Sequence, residues 1–190
     1  MALEVNMHVT RLRRFQPFHP DSAELVYEQS DPKEPGFETV ALGHLDAVIE
    51  DPRVRIIVLT GDAGHGKTSL CARLLERFGS TPLEAASLIR GQGDGSSAIA
   101  TTRSGRPLRI LKDLSDVTVE RGAELLAELL VVGDDTVSIV CANEGRLRRA
   151  VASDPGDDLR VLTRTLEQGM SDGSLASVDP AVHVVNLNFQ

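Results

Sequence analysis

Aromatic side chains are scarce in this chain of 190 residues. They make up 3% of it, with no tryptophan, one tyrosine and five phenylalanines. Proteins that bind single-stranded nucleic acid without sequence preference stack bases on aromatic rings, so this chain is poorly supplied for such a surface. The formal net charge of −8 also disfavours a broad basic surface. We therefore expect contact with nucleic acid only through the rest of a complex.

Cysteines and long apolar runs are also few. Cys71 and Cys141 lie in apolar stretches and are predicted to be small buried residues in a reducing compartment, not a disulfide framework. Metal sites built on Cys/His pairs are absent. No run approaches the ~20 apolar residues that span a bilayer, and the N-terminus, MALEVNMHVTRLRRF, has no apolar signal region. We expect a cytoplasmic protein that makes no contact with a membrane.

The remaining composition is that of an ordinary globular domain. Hydrophobic residues make up 41% and charged residues 25%, which suits one folded core. Residues 1–36 are predicted to be an irregular N-terminal segment because prolines interrupt them: Pro17, Pro20, Pro32 and Pro35. Residues 37–190 are predicted to form a single core domain.

Hydrophobic patterning predicts that strands and helices alternate through this core. Apolar, β-branched runs predict strands over 54–60, 108–112, 136–142 and 182–187. Helical spacing of apolar residues predicts helices over 37–50, 67–78, 82–90, 119–132, 144–152 and 158–168. The Gly/Ser-rich segment 91–106 is either a flexible loop or a loose hairpin around Ala98–Thr101. This order predicts an α/β fold of three layers, with a mainly parallel sheet of about five strands flanked by helices.

One motif carries most of the functional information. Residues 61–68, GDAGHGKT, match G-x-x-x-x-G-K-[ST] and lie between a buried strand and an amphipathic helix. Glycines allow successive backbone N–H groups to face phosphate oxygens, and the following helix adds its positive N-terminal end. Lys67 would supply a cation to the β- and γ-phosphates, and Thr68 would supply a hydroxyl to Mg²⁺. The predicted nucleotide-binding residues are Gly61, Asp62, Ala63, Gly64, His65, Gly66, Lys67, Thr68 and Ser69.

This strand–loop–helix unit resembles the Walker A segment of P-loop NTPases over Arg55–Phe78. The order of the later elements is similar to that of AAA-type ATPases over residues 37–188. The resemblance implies an ATP–Mg²⁺ site on a five-stranded parallel sheet. It also implies an aspartate at the end of a later strand (Walker B) and a polar residue, often Asn, at the end of the next (sensor 1).

Asp113 is the candidate for the Walker B aspartate, where it would hold Mg²⁺ through water. The segment departs from the family pattern, because Lys112 interrupts the apolar run and Leu114 occupies the position where a catalytic Glu usually follows. Asp116 is predicted either to share the metal site or to cap the next helix, a role for which Thr118 is the other candidate.

Asn143 is the candidate for the sensor, which would orient the attacking water or contact the γ-phosphate. Glu144 would be the base that the Leu114 position lacks. The simpler alternative is that Asn143 only caps the next helix and that Glu144 is only a charged residue in the first turn of that helix. Several arginines follow, each either a solvated helix residue or an arginine finger for a neighbouring subunit: Arg146, Arg148, Arg149, Arg160 and Arg164.

The resemblance favours an ATP-binding P-loop ATPase module that couples Mg-ATP binding and hydrolysis to conformational change or assembly, as a homo-oligomer or with partner subunits. Lys67, Asn143 and Glu144 are its predicted catalytic residues. Stretches 110–117 and 140–149 also resemble ATPases of bacterial anti-phage and DNA-restriction systems. Two alternatives stay open. One is a small-molecule or nucleoside kinase that uses residues 91–106 and the arginines near 146–149 as substrate region and lid. The other is a nucleotide-binding switch that does not hydrolyse.

The predicted strand 182–187 resembles the last strand of an ATPase core. AAA-type proteins usually continue from this point into a helical lid that closes over the adenine. We therefore expect residues 1–190 to be the N-terminal part of a longer protein, or a partner to supply the lid.

Overall fold

Five strands form one sheet within the part of the chain that the computed structural model describes, residues 40–62, 64, 66–90, 97–131, 135–153, 159–172 and 179–187. The strands are β1 (Ile56–Thr60), β2 (Ala98–Thr101), β3 (Pro107–Leu111), β4 (Val137–Ala142) and β5 (Val182–Asn186). Their order across the sheet is β2-β3-β4-β1-β5. Strands β3, β4, β1 and β5 run parallel, and β2 is antiparallel to β3.

Helices cover both faces of this sheet. They are α1 (Val40–Ile49), α2 (Lys67–Arg77), α3 (Pro82–Arg90), α4 (Val119–Val131), α5 (Glu144–Ser153) and α6 (Arg160–Asp172), with a 3₁₀ turn at Leu114–Asp116. Buried residues of α1, α2 and α3 pack with one face of the sheet, and those of α4, α5 and α6 pack with the other. The prediction of an α/β fold with a mainly parallel, helix-flanked sheet is confirmed.

The two central strands show why continuous apolar runs predicted strands here. Every residue of β1 and β4 is buried. Successive side chains of a strand point to opposite faces, so Ile57 and Leu59 pack with α1–α3 while Ile56 and Val58 pack with α4–α6. A strand covered on both faces is therefore mostly apolar, and the exceptions here, Thr60 and Ser138, are buried as well.

Strand β2 belongs to a hairpin, so the hairpin alternative is confirmed over the flexible loop for residues 98–106. Its register with β3 runs from Ala98 opposite Ile110 to Thr101 opposite Pro107. Thr102 N–H donates to Arg106 O at 2.9 Å, and Gly105 turns the chain with φ 87°. The sheet therefore differs from the all-parallel arrangement that the family resemblance implies.

The hairpin turn is attached to α1. Both oxygens of the Glu50 carboxylate accept from the turn, one from Arg103 N–H at 3.0 Å and the other from Ser104 N–H at 3.1 Å. The Arg103 guanidinium also bonds Asp46 at 2.9 Å and lies 5.5 Å from the centroid of the Phe78 ring. These contacts join the turn between β2 and β3 to α1, to the residue that follows it and to Phe78 at the end of α2.

The expectations for residues 1–36, for a lid beyond Gln190, and for Ala63 and His65 lie outside the described residues. Residues 91–96, which begin the Gly/Ser-rich segment, also lie outside the described residues.

Candidate functional site

The segments that the sequence singled out meet at one edge of the sheet. Parallel strands end at the same edge, and β4 lies between β1 and β3. Thr60 at the end of β1 pairs with Ala142 at the end of β4, so the next residues, Gly61 and Asn143, leave the sheet side by side. Asp113 follows β3 on the other side of β4, and neighbouring strands are about 4.8 Å apart. The structure thus places Asn143 between the glycine-rich loop and Asp113.

The glycine-rich loop needs glycine because of its backbone conformation. Gly64 has φ 87° and Gly66 has φ 79°, values that residues with a Cβ adopt at a cost. A Cβ added at either position would meet no atom within 4 Å, so crowding by the protein does not explain these glycines. The surface of the loop is open at both positions, as a loop that receives a ligand close to its backbone requires.

Helix α2 begins directly from this loop and lacks a side-chain cap. Its N-cap is Gly66, which has no side chain, and within the described residues no side chain accepts from the first N–H groups of the helix; its first turn contains no acidic residue. Helix α3, by contrast, starts with a reciprocal cap in which Glu84 accepts from Thr81 N–H and Thr81 Oγ accepts from Glu84 N–H. A side-chain cap is typically worth about 1 kcal/mol. Within the described residues, the start of α2 therefore offers N–H donors without a side-chain acceptor, together with the positive end of the helix, toward the sheet edge.

The side chain of Lys67 lies back across the loop. Its ammonium donates to Gly61 O at 2.7 Å and to Asp62 O at 2.9 Å. An ammonium has three N–H donors, so among the described residues one is left for a further acceptor. Thr68 and Ser69 follow in the first turn of α2 and are half-buried. The described members of the predicted nucleotide-binding set thus share one loop and one helix end.

Asp113 caps the 3₁₀ turn that follows β3. Its Oδ1 accepts from Ser115 N–H at 2.8 Å. Asp116 is exposed within that turn, whereas α4 is capped by Thr118, whose Oγ accepts from Arg121 N–H at 3.2 Å. The alternative interpretation of Asp116 as a helix cap is therefore wrong, and the one for Thr118 is confirmed.

The donor set predicted for a metal consists of oxygens from Thr68, Asp113 and Asp116. Within the described ranges, no three or more His, Cys, Asp or Glu side chains are grouped to hold an ion. Mg²⁺ is usually bound by one or two carboxylates together with substrate phosphates and waters. An all-oxygen set of this size fits Mg²⁺ that arrives with a nucleotide, and does not resemble a closed protein cage.

The side chain of Asn143 has two hydrogen-bond partners among the described residues. Its Oδ1 accepts from Arg146 N–H at 2.7 Å, which caps α5 as the simpler interpretation predicted. Its Nδ2 donates to Ser115 Oγ at 3.2 Å, which joins it to the turn after β3. Sequence reasoning missed Ser115. The available signal was its position two residues after Asp113, where Asp side chains commonly bond the backbone of a turn.

Glu144 is held within its own helix. Its Oε1 accepts from both Arg148 Nε and Arg148 Nη2 at 3.0 Å, an i,i+4 ion pair. This arrangement matches the alternative that Glu144 is a helix-start charge. Nothing described brings Glu144 into contact with Asp113 or Lys67, so its role as a base stays a prediction.

The arginines named as finger candidates fall into different environments. Arg146 donates through Nη2 to Val117 O, and its Nε is buried with no acceptor among the described residues. Arg149 is exposed and donates to Gly145 O at 3.2 Å. Arg160 and Arg164 are exposed on α6. Arg146 is thus occupied at the turn after β3, whereas Arg149, Arg160 and Arg164 present exposed side chains.

Known proteins do not assign a function to this chain. No protein-family model, no curated protein and no solved structure matches the chain. In the described part of the chain, every helix is too short or too polar to cross a membrane.

Proposed function

We propose that this chain is a P-loop NTPase core of AAA-like type that binds Mg-ATP and couples its hydrolysis to conformational change or assembly. The observation that carries the proposal is the uncapped start of α2, which lies behind two glycines of positive φ and beside the ammonium of Lys67. Helices α3, α4 and α5 all have side-chain caps. A helix that forgoes this stabilisation keeps its N–H donors available for an anion.

Phosphate groups are the anions that this loop suits best. Backbone N–H groups of the loop and of the first turn of α2 would accept the phosphate oxygens, and the remaining N–H of Lys67 would donate to one of them. The bound phosphates would thus lie beside Asn143, which leaves the neighbouring strand. Mg²⁺, held through Thr68 and Asp113 with Asp116 close by, would neutralise charge on the phosphate oxygens.

Hydrolysis would use the same edge of the sheet. A water oxygen attacks the γ-phosphorus, the bond to the β–γ bridging oxygen breaks, and ADP and inorganic phosphate form. The Asn143 amide is the group available to orient this water. Both bonds from the Arg148 guanidinium reach Oε1 of Glu144, so Oε2 is the oxygen of this carboxylate that would accept the water proton.

A nucleotide-binding switch is the second candidate, and one observation favours it. The position after Asp113 is occupied by Leu114, which is buried and packs in the core with α4, α5 and α6, so no carboxylate stands there. Glu144 is also paired with Arg148, and no described contact brings it to Asp113 or Lys67. Tight ATP binding without release of phosphate would identify this alternative. No specific observation favours the kinase.

The experiment that tests the proposal is nucleotide binding by the wild type and by Lys67→Ala, with ATP and GTP and with or without Mg²⁺. Loss of one charge-assisted contact should weaken ATP binding about 10- to 100-fold. Arg73→Ala is the matched control, since it removes a cation from the same helix. Arg73 pairs with Glu76. We expect the control to bind ATP like the wild type. Equal affinity of Lys67→Ala and wild type would overturn the proposal.

Product analysis then separates the candidate functions. Free phosphate indicates an ATPase, phosphate on an added acceptor indicates a kinase, and stable bound ATP indicates a switch. The melting temperature of each variant shows whether a loss of binding reflects a loss of fold. Lys67 is the first residue of α2 and belongs to neither core cluster, so we expect its removal to leave the fold intact.

A further inference from the structure

Ser115 joins the two polar side chains that follow β3 and β4. Its backbone N–H donates to Asp113 Oδ1 at 2.8 Å, and its Oγ accepts from Asn143 Nδ2 at 3.2 Å. The three residues therefore form one chain of hydrogen bonds along the carboxyl edge of the sheet. Neither the motif nor the family resemblance assigned a role to Ser115.

The orientation of the Asn143 amide follows from these contacts. Its oxygen is taken by Arg146 N–H at 2.7 Å, so its NH₂ group must face Ser115. An amide NH₂ has two donors. With one directed to Ser115 Oγ, the second is available to a group outside the protein. Arg146 N–H and Ser115 Oγ together fix where that second donor points.

Ser115 is not a core residue. It is exposed, and its hydroxyl makes its described contact with Asn143 alone. Asp113 is also half-exposed, and within the described residues no hydrogen bond or ion pair reaches its Oδ2. The cluster therefore keeps one amide donor, one hydroxyl donor and one carboxylate oxygen free at the site while their mutual positions are fixed.

We propose that Ser115 is a positioning residue for nucleotide hydrolysis, which holds the Asn143 amide in the orientation that directs water toward the γ-phosphate. This inference rests on the proposed function. It adds that the turn after β3 and the start of α5 respond to the nucleotide together, because the Ser115–Asn143 bond links them. The Arg146–Val117 contact, which joins the same turn to the same helix, supports this coupling.

The test compares Ser115→Ala, Ser115→Thr and Asn143→Ala in ATP turnover and ATP affinity. Ser115→Ala should lower kcat about tenfold, the effect of about one lost hydrogen bond, with KM and ATP affinity within about twofold of the wild type. Ser115→Thr keeps the hydroxyl and should restore kcat. In the Asn143→Ala background, the Ser115→Ala change should add almost nothing, because the two residues act as a unit.

Ser153→Ala is the matched control, since it removes a serine hydroxyl that bonds Ala150 O at 2.8 Å at the far end of α5. It should leave kcat unchanged. A Ser115→Ala protein with wild-type kcat would overturn the positioning role while leaving the ATPase proposal intact. A wild-type protein that binds no nucleotide would instead overturn the proposed function, and this inference with it.

A second measurement tests the inference in a protein that binds ATP but does not hydrolyse it. The side-chain amide signals of Asn143 in an isotope-labelled protein should shift on addition of Mg-ATP. Ser115→Ala should change those signals in the free protein and reduce the shift on binding, and Ser115→Thr should restore both. Amide signals of Asn143 that stay unchanged after the substitution or after addition of Mg-ATP would contradict the inference.

Discussion

The Sγ atoms of Cys71 and Cys141 lie 3.3 Å apart in the core, and both thiols are free. Cys71 lies one helical turn after Lys67, and Cys141 lies two residues before Asn143. The contact therefore joins the helix that follows the glycine-rich loop to the strand that carries Asn143. The hydrogen bond with Cys141, followed by burial, raises the pKa of the Cys71 thiol well above its ordinary value.

We predict that these two thiols do not react with a thiol reagent in the native protein and react fully after unfolding. Burial blocks access, and a raised pKa keeps Cys71 in the unreactive protonated form. The raised pKa also predicts that stability falls as pH rises above 9.0, the ordinary pKa of this thiol. Above that pH the unfolded chain releases the proton and the folded chain keeps it.

Urea unfolding midpoints between pH 7 and 10 measure this loss, and Cys71→Ala should show less of it. Rapid labelling of the native protein, or the same pH dependence in Cys71→Ala, would contradict the prediction.

Arg106 should be the most costly single side chain to remove outside the apolar core. It is 5% exposed, and its guanidinium donates to Ile49 O, Asp51 O and Val54 O at 3.2, 2.8 and 2.7 Å. Its Nε donates to the backbone and the carboxylate of Asp135 at 3.0 Å. Removal leaves several acceptors without partners, so we expect Arg106→Ala to lower the unfolding free energy by about 3–5 kcal/mol.

Asp135→Ala is the control for this prediction. The Asp135 side chain is 71% exposed, and exposed ion pairs contribute about 0–1 kcal/mol. Chemical denaturation of both variants checks the contrast. Equal losses would show that the ion pair, and not the set of backbone carbonyls, makes Arg106 important.

The His44 and His183 rings form a pair that should make the fold sensitive to acid. Their centroids are 6.3 Å apart, and His44 Nε2 and His183 Nδ1 are buried without described partners. Burial lowers the pKa of both side chains, and the charge of His44 lowers that of His183 further. Asp51 acts in the opposite direction on His183, and Arg53 acts in the same direction as burial.

A histidine whose pKa is lowered by folding binds its proton more readily in the unfolded chain. The unfolding free energy should therefore fall as pH drops below 6.5, the ordinary pKa of these groups. Denaturation between pH 7.5 and 5 measures the slope, and the double variant His44→Gln/His183→Gln should flatten it. A slope that the double variant leaves unchanged would assign the acid sensitivity to other groups.

Two glycines allow a matched test of the loop backbone. Gly64→Ala should lower stability by about 1–2 kcal/mol because its φ of 87° disfavours a Cβ, and it should also weaken ATP binding. Gly43→Ala lies within α1 with no atom within 4 Å of the added Cβ, so it should raise stability by about 0.5–1 kcal/mol. Denaturation and ATP titration of both variants check this. Opposite signs support the loop geometry, and a neutral Gly64→Ala contradicts it.

Glu144→Gln tests whether this carboxylate acts as the base. If the protein hydrolyses ATP, we expect turnover to fall about 100-fold while ATP affinity stays near that of the wild type. Release of phosphate under saturating Mg-ATP is the measurement. Arg148→Ala, which frees Glu144 from its ion pair, should leave turnover equal or higher. Wild-type turnover in Glu144→Gln would show that Glu144 is only a charged residue at the start of α5.

Local patterns were enough to predict the elements and the loop. Continuous apolar runs predicted β1 and β4 because both faces of these strands are covered. Helical spacing of apolar residues predicted the ends of α2, α4 and α5 to within one or two residues. The glycine-rich motif could be recognised because the phosphate binding proposed for it depends on consecutive backbone groups. These features are all encoded within about a dozen neighbouring residues, so the sequence by itself determined them.

Contacts between distant residues were decided only by the tertiary structure. Periodicity shows that a side chain is buried but not which side chain it meets, so nothing local predicted the strand order, and the hairpin that contains β2 was only one of two open alternatives. The same holds for the contact between Cys71 and Cys141 and for the hydrogen bond from Asn143 to Ser115, 28 residues apart in the chain. Each pair meets because the order of the strands, set by packing of the whole core, brings separate segments to one place.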